Sequence, residues 1–220
     1  RSLPKPAGSY PHGPVCMIVL GLTGSIGMGK STAAEIMRRL NVPVCDAGAI
    51  VHKLIGPGGK AVSVVEKRFP GSTKDSAVDR QALGGRVFND LGALKLLESI
   101  LHPLVEDERD RFLKQSRRYR MRVVALDIPL LFEIEADKHC DASIVVSAPG
   151  FIQELRVLKR PDMTKEKFNN IKKQQMSDCE KCRRATFVVP TGIGRRATRQ
   201  ALARIVRLSR DGQLQSTDWR

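Results

Sequence analysis

Gly24, Gly29, Lys30 and Ser31 stand at the fixed positions of G-x-x-x-x-G-K-[ST] within "GLTGSIGMGKST". Glycines at this spacing let successive backbone N–H groups turn inward and wrap a polyphosphate, while a new helix aims its positive dipole end at the same anion. Lys30 is placed to reach the β- and γ-phosphates, and the Ser31 hydroxyl to ligate Mg²⁺. The expected ligands are therefore ATP and Mg²⁺, against the plainer reading of a glycine-rich turn with a helix-starting lysine. Two carboxylates accompany the loop. Asp127 closes the apolar run "VVAL", where such folds place an acid that coordinates the metal. Asp46 closes "VPVC", where a base accepts the proton of an attacking hydroxyl. For either, capping the next helix is the competing role. Arg156 and Arg160, four apart, share one helical face and suit a lid that neutralises charge on a transferring phosphoryl group; a solvated basic helix pair is the alternative.

The elements that must position these groups are legible from periodicity. Val15–Leu22 reads as a buried strand, and Ala33, Ile36, Met37 and Leu40 recur at helical spacing after the loop. Further strands are expected at Val42–Cys45, Val123–Leu126, Ala142–Val146 and Phe187–Val189, with a last helix carrying Ala197, Ala201, Ile205 and Leu208 on one face. Strands separated by helical segments predict an α/β fold with a doubly wound parallel sheet, whose ligands lie at the carboxyl ends of the strands. Between the second and third strands, Leu94, Leu97, Leu101, Val105 and Phe112 mark an inserted helical lobe, in which Pro103 is expected to end one helix near His102 and begin another. The segment Lys165–Cys182 reads as one helix, polar around most of its circumference, hence a mobile lid. The expected division is a nucleotide-binding core at 15–55, 119–150 and 185–210, an acceptor-binding lobe at 56–118, lid helices at 151–184 and a loose tail at 211–220. Residues 1–14, rich in proline and glycine, read as a disordered leader or appended segment; prolines there spoil the amphipathic helix of a transit peptide.

Composition sets the outer limits. The 220 residues are 41% hydrophobic and carry a net charge of +15. That length supports one substantial core with a smaller lobe. No apolar run approaches the ~20 residues of a membrane span. The positive charge fits a protein that handles polyanionic small molecules or nucleic acid. An aromatic content of 5% gives base stacking little support, so no nucleic-acid partner is expected. Five scattered cysteines suit reduced thiols in the cytoplasm better than a disulfide framework. Cys179-x-x-Cys182 lacks a second ligand pair and reads as two helix-borne thiols rather than half of a zinc site.

Taken in order, "IVLGLTGSIGMGKST", "DAGAIVHKL", "VDRQALGGRVFND", "ILHPLV", "LDIPLLFE" and the pattern Gln153, Arg156, Arg160, Gln175 resemble dephospho-CoA kinases from about Met17 to Ser209. The resemblance implies a phosphate-loop nucleotide-binding fold with an inserted helical lobe and a lid. It also implies ATP-dependent phosphorylation of the ribose 3′-hydroxyl of dephospho-CoA, the last step of coenzyme A synthesis. Carried over by position, Gly24, Ser25, Ile26, Gly27, Met28, Gly29, Lys30, Ser31 and Thr32 bind the ATP phosphates and Arg156 belongs to the lid. His102, Pro129, Leu130 and Glu133 fall in segments associated with the acceptor. Without the resemblance, His102 reads as a helix-end cap, and Leu130, Leu131 and Phe132 as core.

Two positions depart from the family pattern. Asp46-Ala47-Gly48 stands where Asp-Ala-Asp is usual, and a glycine cannot take a proton. Either Asp46 or a water then serves as base, or catalysis is impaired. Losing a general base costs typically about 10²–10⁴-fold, and phosphoryl transfer leans more on positioning and charge, so a slow kinase is expected. Thr186 and Pro190 replace acids near the last strand, close to the expected place of adenine. The competing functions are a nucleoside or nucleotide kinase of the same fold, a weakened coenzyme-binding protein, and a nucleic-acid-binding phosphate-loop protein.

Overall fold

A computed structural model describes residues 17–87 and 90–214. The leader expected over residues 1–14 and the tail from 215 onward lie outside the described residues. The chain runs β1 (Ile18–Thr23), α1 (Lys30–Arg39), β2 (Val44–Asp46), α2 (Ala47–Ile55), α3 (Val62–Arg68), β3 (Thr73–Lys74), β4 (Ala77–Val78), α4 (Arg80–Val87), α5 (Leu91–Arg118), β5 (Val123–Asp127), β6 (Ala142–Ser147), α6 (Gly150–Leu158), α7 (Lys165–Gln174), α8 (Asp178–Arg184), β7 (Phe187–Pro190) and α9 (Arg195–Arg210). All five strands of the main sheet are parallel, in the order β2-β5-β1-β6-β7.

β1 lies in the middle because its residues tolerate burial on both faces: Leu20 and Leu22 are fully buried on one side and Val19 on the other. The main core joins these leucines to Ala33, Ile36 and Met37 of α1 and to Leu202, Ile205 and Val206 of α9. α9 therefore covers the sheet with one apolar stripe and turns its arginines outward.

The inserted lobe has its own core. Leu54 and Ile55 of α2, Val65 and Phe69 near α3, and Leu83 and Val87 of α4 pack with Leu97, Ile100, Leu101, Leu104 and Val105 of α5. By this packing α2 belongs with the lobe, although it starts directly from β2. Two differences from sequence expectation arise here. α5 is one continuous helix of 28 residues with Pro103 inside it, not two helices meeting at His102. Proline removes one backbone donor, but the apolar stripe from Leu97 to Val105 packs on both sides of it, and that burial outweighs the lost bond. The lobe also contains the β3–β4 hairpin, too short for periodicity to reveal.

The segment expected as one helix over Lys165–Cys182 is two, α7 and α8, separated at Gln175 by an extended backbone. Thr164 caps α7 by accepting from the Lys167 N–H, and Ser177 caps α8 by accepting from the Glu180 N–H. The second cap is the signal that periodicity alone passed over. Among the described residues, no helix is long and apolar enough to cross a membrane.

Candidate active site

The loop between β1 and α1 is shaped by close approaches that only glycine permits. A Cβ on Gly24 would lie 2.5 Å from Val146 Cγ2 and 2.9 Å from the Val146 carbonyl oxygen. Gly29 has φ 90° and no side-chain cap follows it, so the first turn of α1 presents its N–H groups to the hollow of the loop. Thr191, at the end of β7 and 7% exposed, secures the loop from the far side. Its hydroxyl donates to the Met28 carbonyl at 2.7 Å and accepts from Arg156 Nη1 at 3.1 Å. Arg156 Nη2 also donates to the Thr191 carbonyl at 2.7 Å. Arg156 is thereby fixed against the loop rather than swung away on a remote lid.

A cleft of about 640 Å³ opens over the loop, lined by Gly24–Gly27, Gly29–Thr32, Pro129, Arg156, Arg160, Thr191 and Arg195, among others. Four cations, Lys30, Arg156, Arg160 and Arg195, face it. Lys30 Nζ lies 2.7 Å from Asp127 Oδ1. Asp127 is 2% exposed, and burial pushes its carboxyl up from the usual range. The Lys30 charge and hydrogen bond oppose that rise, while the Asp46 charge adds to it. Asp46 and Asp127 are direct register partners on β2 and β5, both at the carboxyl edge of the sheet.

Asp46 does two things. Its Oδ1 accepts from the Ala49 N–H at 2.9 Å and caps α2, and it lines a second cleft of about 710 Å³ between core and lobe. Arg38, Lys53, Lys60 and Arg111 give that cleft a basic wall, with Lys60 and Arg111 both bound to Glu108 at 3.1 and 2.7 Å. Cys45, beside Asp46, has its thiol pushed up to about 11, first by burial and then by the Asp46 charge.

The remaining sequence candidates separate. Ser31 is exposed at the start of α1 and Pro129 lines the nucleotide-side cleft. Leu130 is 37% exposed, unlike its buried neighbours Leu131 and Phe132. His102 is exposed on α5 and lines neither cleft. Glu133 accepts from Lys181 Nζ and from the Met176 N–H, each at 2.9 Å. Burial pushes its carboxyl up, and those bonds outweigh burial and leave it below the usual range. The sequence reading assigned no role to three contacts: Thr191 on the loop, the Gln153 and Gln175 amides on the Ile26 peptide, and the fully buried Lys181. Only the two glutamines had left a signal, their spacing relative to Arg156.

A phosphate loop at the end of the central strand, an acid at the end of the neighbouring strand and arginines over the loop define a phosphate-loop phosphotransferase. The dephospho-CoA kinase family model matches residues 18–193, and the chain belongs to that family. It is 56% identical to the dephospho-CoA kinase of Paramagnetospirillum magneticum over 165 residues, covering 75% of this chain and 78% of that one. It is 48% identical to the dephospho-CoA kinase of Rhodospirillum rubrum over 196 residues, 89% and 93% of the two chains. Among solved structures, TT1252 from Thermus thermophilus superposes with a TM-score of 0.76 at 31% identity, covering 86% of this chain and 96% of that one. Dephospho-CoA kinase from Campylobacter jejuni superposes with a TM-score of 0.66 at 26% identity, covering 88% and 98%.

Proposed function

We infer that the chain transfers the γ-phosphoryl group of ATP to the ribose 3′-hydroxyl of dephospho-CoA, yielding coenzyme A and ADP. The observation that carries the reading is the Lys30–Asp127–Asp46 row. Lys30 faces the cleft above the phosphate loop, Asp46 faces the basic cleft beside it, and Asp127 stands between them. A phosphoryl donor and a hydroxyl acceptor held in the two clefts meet at that row.

ATP binds with its phosphates on residues Gly24–Thr32, its β- and γ-oxygens held by the loop N–H groups, the α1 dipole and Lys30. Arg156 and Arg160 neutralise the charge that develops on the transferring group. The four cations of the second cleft suit the diphosphate of dephospho-CoA, and its volume suits a ligand of that kind. Pro129, on the rim of the nucleotide-side cleft, and Leu130 belong to the segment we assign to the acceptor; His102 is exposed on α5 and lines neither cleft. Asp46 takes the proton of the attacking hydroxyl, since Gly48 offers no side chain.

Ser31 and Asp127 are the residues that would hold Mg²⁺. The donors here are hard oxygens, and the described residues hold no group of three or more His, Cys, Asp or Glu side chains that could cage a metal. That sparse set fits an ion that keeps its waters and shares phosphate oxygens. When bound, such an ion would offset the negative charge of the phosphates during transfer. We place the enzyme in the cytoplasm, acting on a small molecule and without nucleic acid, and assign residues 56–118 to the acceptor and 151–184 to lid closure.

The test is ADP release from ATP and Mg²⁺ with dephospho-CoA, AMP, adenosine or no acceptor. Release that depends on dephospho-CoA and stops on adding a chelator is expected. Equal release with AMP or adenosine would instead make this a nucleotide or nucleoside kinase.

A further inference from the structure

A closed circuit of hydrogen bonds surrounds the phosphate loop, and its least expected member is Lys181. Thr23, the last residue of β1 and fully buried, donates its hydroxyl to the Pro129 carbonyl at 2.9 Å. The same carbonyl accepts from Lys181 Nζ at 3.3 Å. Lys181 is fully buried and pairs with Glu133 Oε1 at 2.9 Å. That oxygen also accepts from the Met176 N–H at 2.9 Å, which pins the break between α7 and α8. One residue earlier, Gln175 Oε1 accepts from the Ile26 N–H at 3.0 Å. The circuit thus returns to the middle of the phosphate loop, three residues beyond Thr23.

Helix packing alone does not call for an ammonium at 181. A leucine would bury equally well without the desolvation cost of a charge. What the ammonium adds is direction. It fixes the Pro129 carbonyl beside the nucleotide-side cleft and, through Glu133, the backbone at Met176. Gln175 in turn holds the Ile26 peptide, whose carbonyl is gripped at 2.8 Å by Gln153, itself 3% exposed. A loop whose N–H groups must meet phosphate oxygens gains from such double restraint, because small displacements of reacting groups are costly.

We propose that Lys181 is a positioning residue for phosphoryl transfer, setting the phosphate loop against the Pro129–Glu133 segment through the Gln175–Met176 break. This rests on the kinase reading above. Lys181 touches neither substrate; it acts through Pro129, Glu133 and Gln175.

The experiment compares the full chain with Lys181→Met, Lys181→Met/Glu133→Gln and Gln175→Ala. It measures kcat, KM for ATP, ATP affinity by calorimetry and Tm. Lys181→Met is expected to lose both stability and, roughly tenfold to a hundredfold, kcat. The double variant removes the stranded carboxylate, so Tm recovers while kcat does not, the Pro129 carbonyl then being held by Thr23 alone. Recovery of both would make Lys181 merely structural and overturn the proposal. Should Lys181→Met fail to fold, Gln175→Ala decides. It is expected to change KM and affinity for ATP about threefold or more with Tm within about 2 °C of wild type, and unchanged values refute the circuit. A wild type that releases no ADP refutes the kinase reading instead, and the circuit is then judged by ATP affinity alone.

Discussion

Gly48→Asp should make the enzyme faster and less stable at once. A Cβ at Gly48 meets only Asp46 Oδ1, at 3.3 Å, so the Asp46 side chain rather than any backbone must give by a few tenths of an ångström. It would stand in the first turn of α2, half-buried, as a second carboxylate beside Asp46 and near Asp127. Two carboxylates about 5 Å apart repel by about 1 kcal/mol in water and about 3 kcal/mol at an effective dielectric of about 20. The α2 dipole returns about 0.3–1 kcal/mol, and leaving glycine in a helix returns about 0.3 kcal/mol. The net cost is about 1 kcal/mol, or about 2–4 °C in Tm for a chain of this size. A restored base is worth up to about 10²–10⁴-fold. With Asp46 supplying part of that function, as proposed above, a rise in kcat of about tenfold to a hundredfold is expected. Steady-state ADP release with saturating dephospho-CoA reads the rate, and a thermal melt without ligands reads the stability. Unchanged kcat in a folded variant would refute the idea that position 48 lacks a working base.

Pro103→Ala restores a backbone donor inside α5 at an exposed site, so Tm should rise by the equivalent of about 1–3 kcal/mol; a fall in the thermal melt would mean that the packing depends on the proline. Burial holds the Cys45 and Cys140 thiols at about 11 and about 12, whereas Cys179 is exposed. Alkylation of the native protein near neutral pH, followed by peptide mass mapping, should mark Cys179 and spare Cys45 and Cys140 until the chain unfolds; early marking of Cys45 would contradict its burial. The Glu133 carboxyl sits below its unfolded value of 4.5, so its ionised form stabilises the fold above that pH, and this contribution fades as pH falls through the lower folded value. The difference in urea stability between wild type and Glu133→Gln should therefore be largest above pH 4.5 and shrink below it; a difference that grew on acidification would reverse the sign of the argument.

The sheet was readable because its strands are short apolar runs, three of which end in a polar side chain that serves the site. Thr23, Asp46 and Asp127 all sit at carboxyl ends. The phosphate loop was readable because its glycines answer to local sterics. What escaped depended on contacts distant in sequence. α5 continues through Pro103 because residues of α2, α3 and α4 cover it on both sides of the proline, and nothing within α5 announces them. Lys181 looks like any other lysine in a polar helix. Its burial follows from Glu133 and Pro129, which arrive from the far side of β6. Asp46 was open between base and cap, and the geometry suits it to both, since one oxygen caps α2 while the residue lines the second cleft.

Thr191 carries a consequence for how the chain is made. Its hydroxyl reaches the Met28 carbonyl across 163 positions of sequence, and it holds Arg156 as well. A nascent chain that has emerged only as far as β6 owns the whole phosphate loop yet lacks the strand that buttresses it and the wall formed by Thr191, Gly192 and Arg195. ATP can therefore offer little stabilisation to the emerging protein until the last edge strand docks. Ligand-driven stabilisation acts only on molecules that already possess the binding site. Nucleotide capture would then come late in synthesis, and the earlier steps would rest on the apolar residues that β1, α1, β5 and β6 contribute to the core.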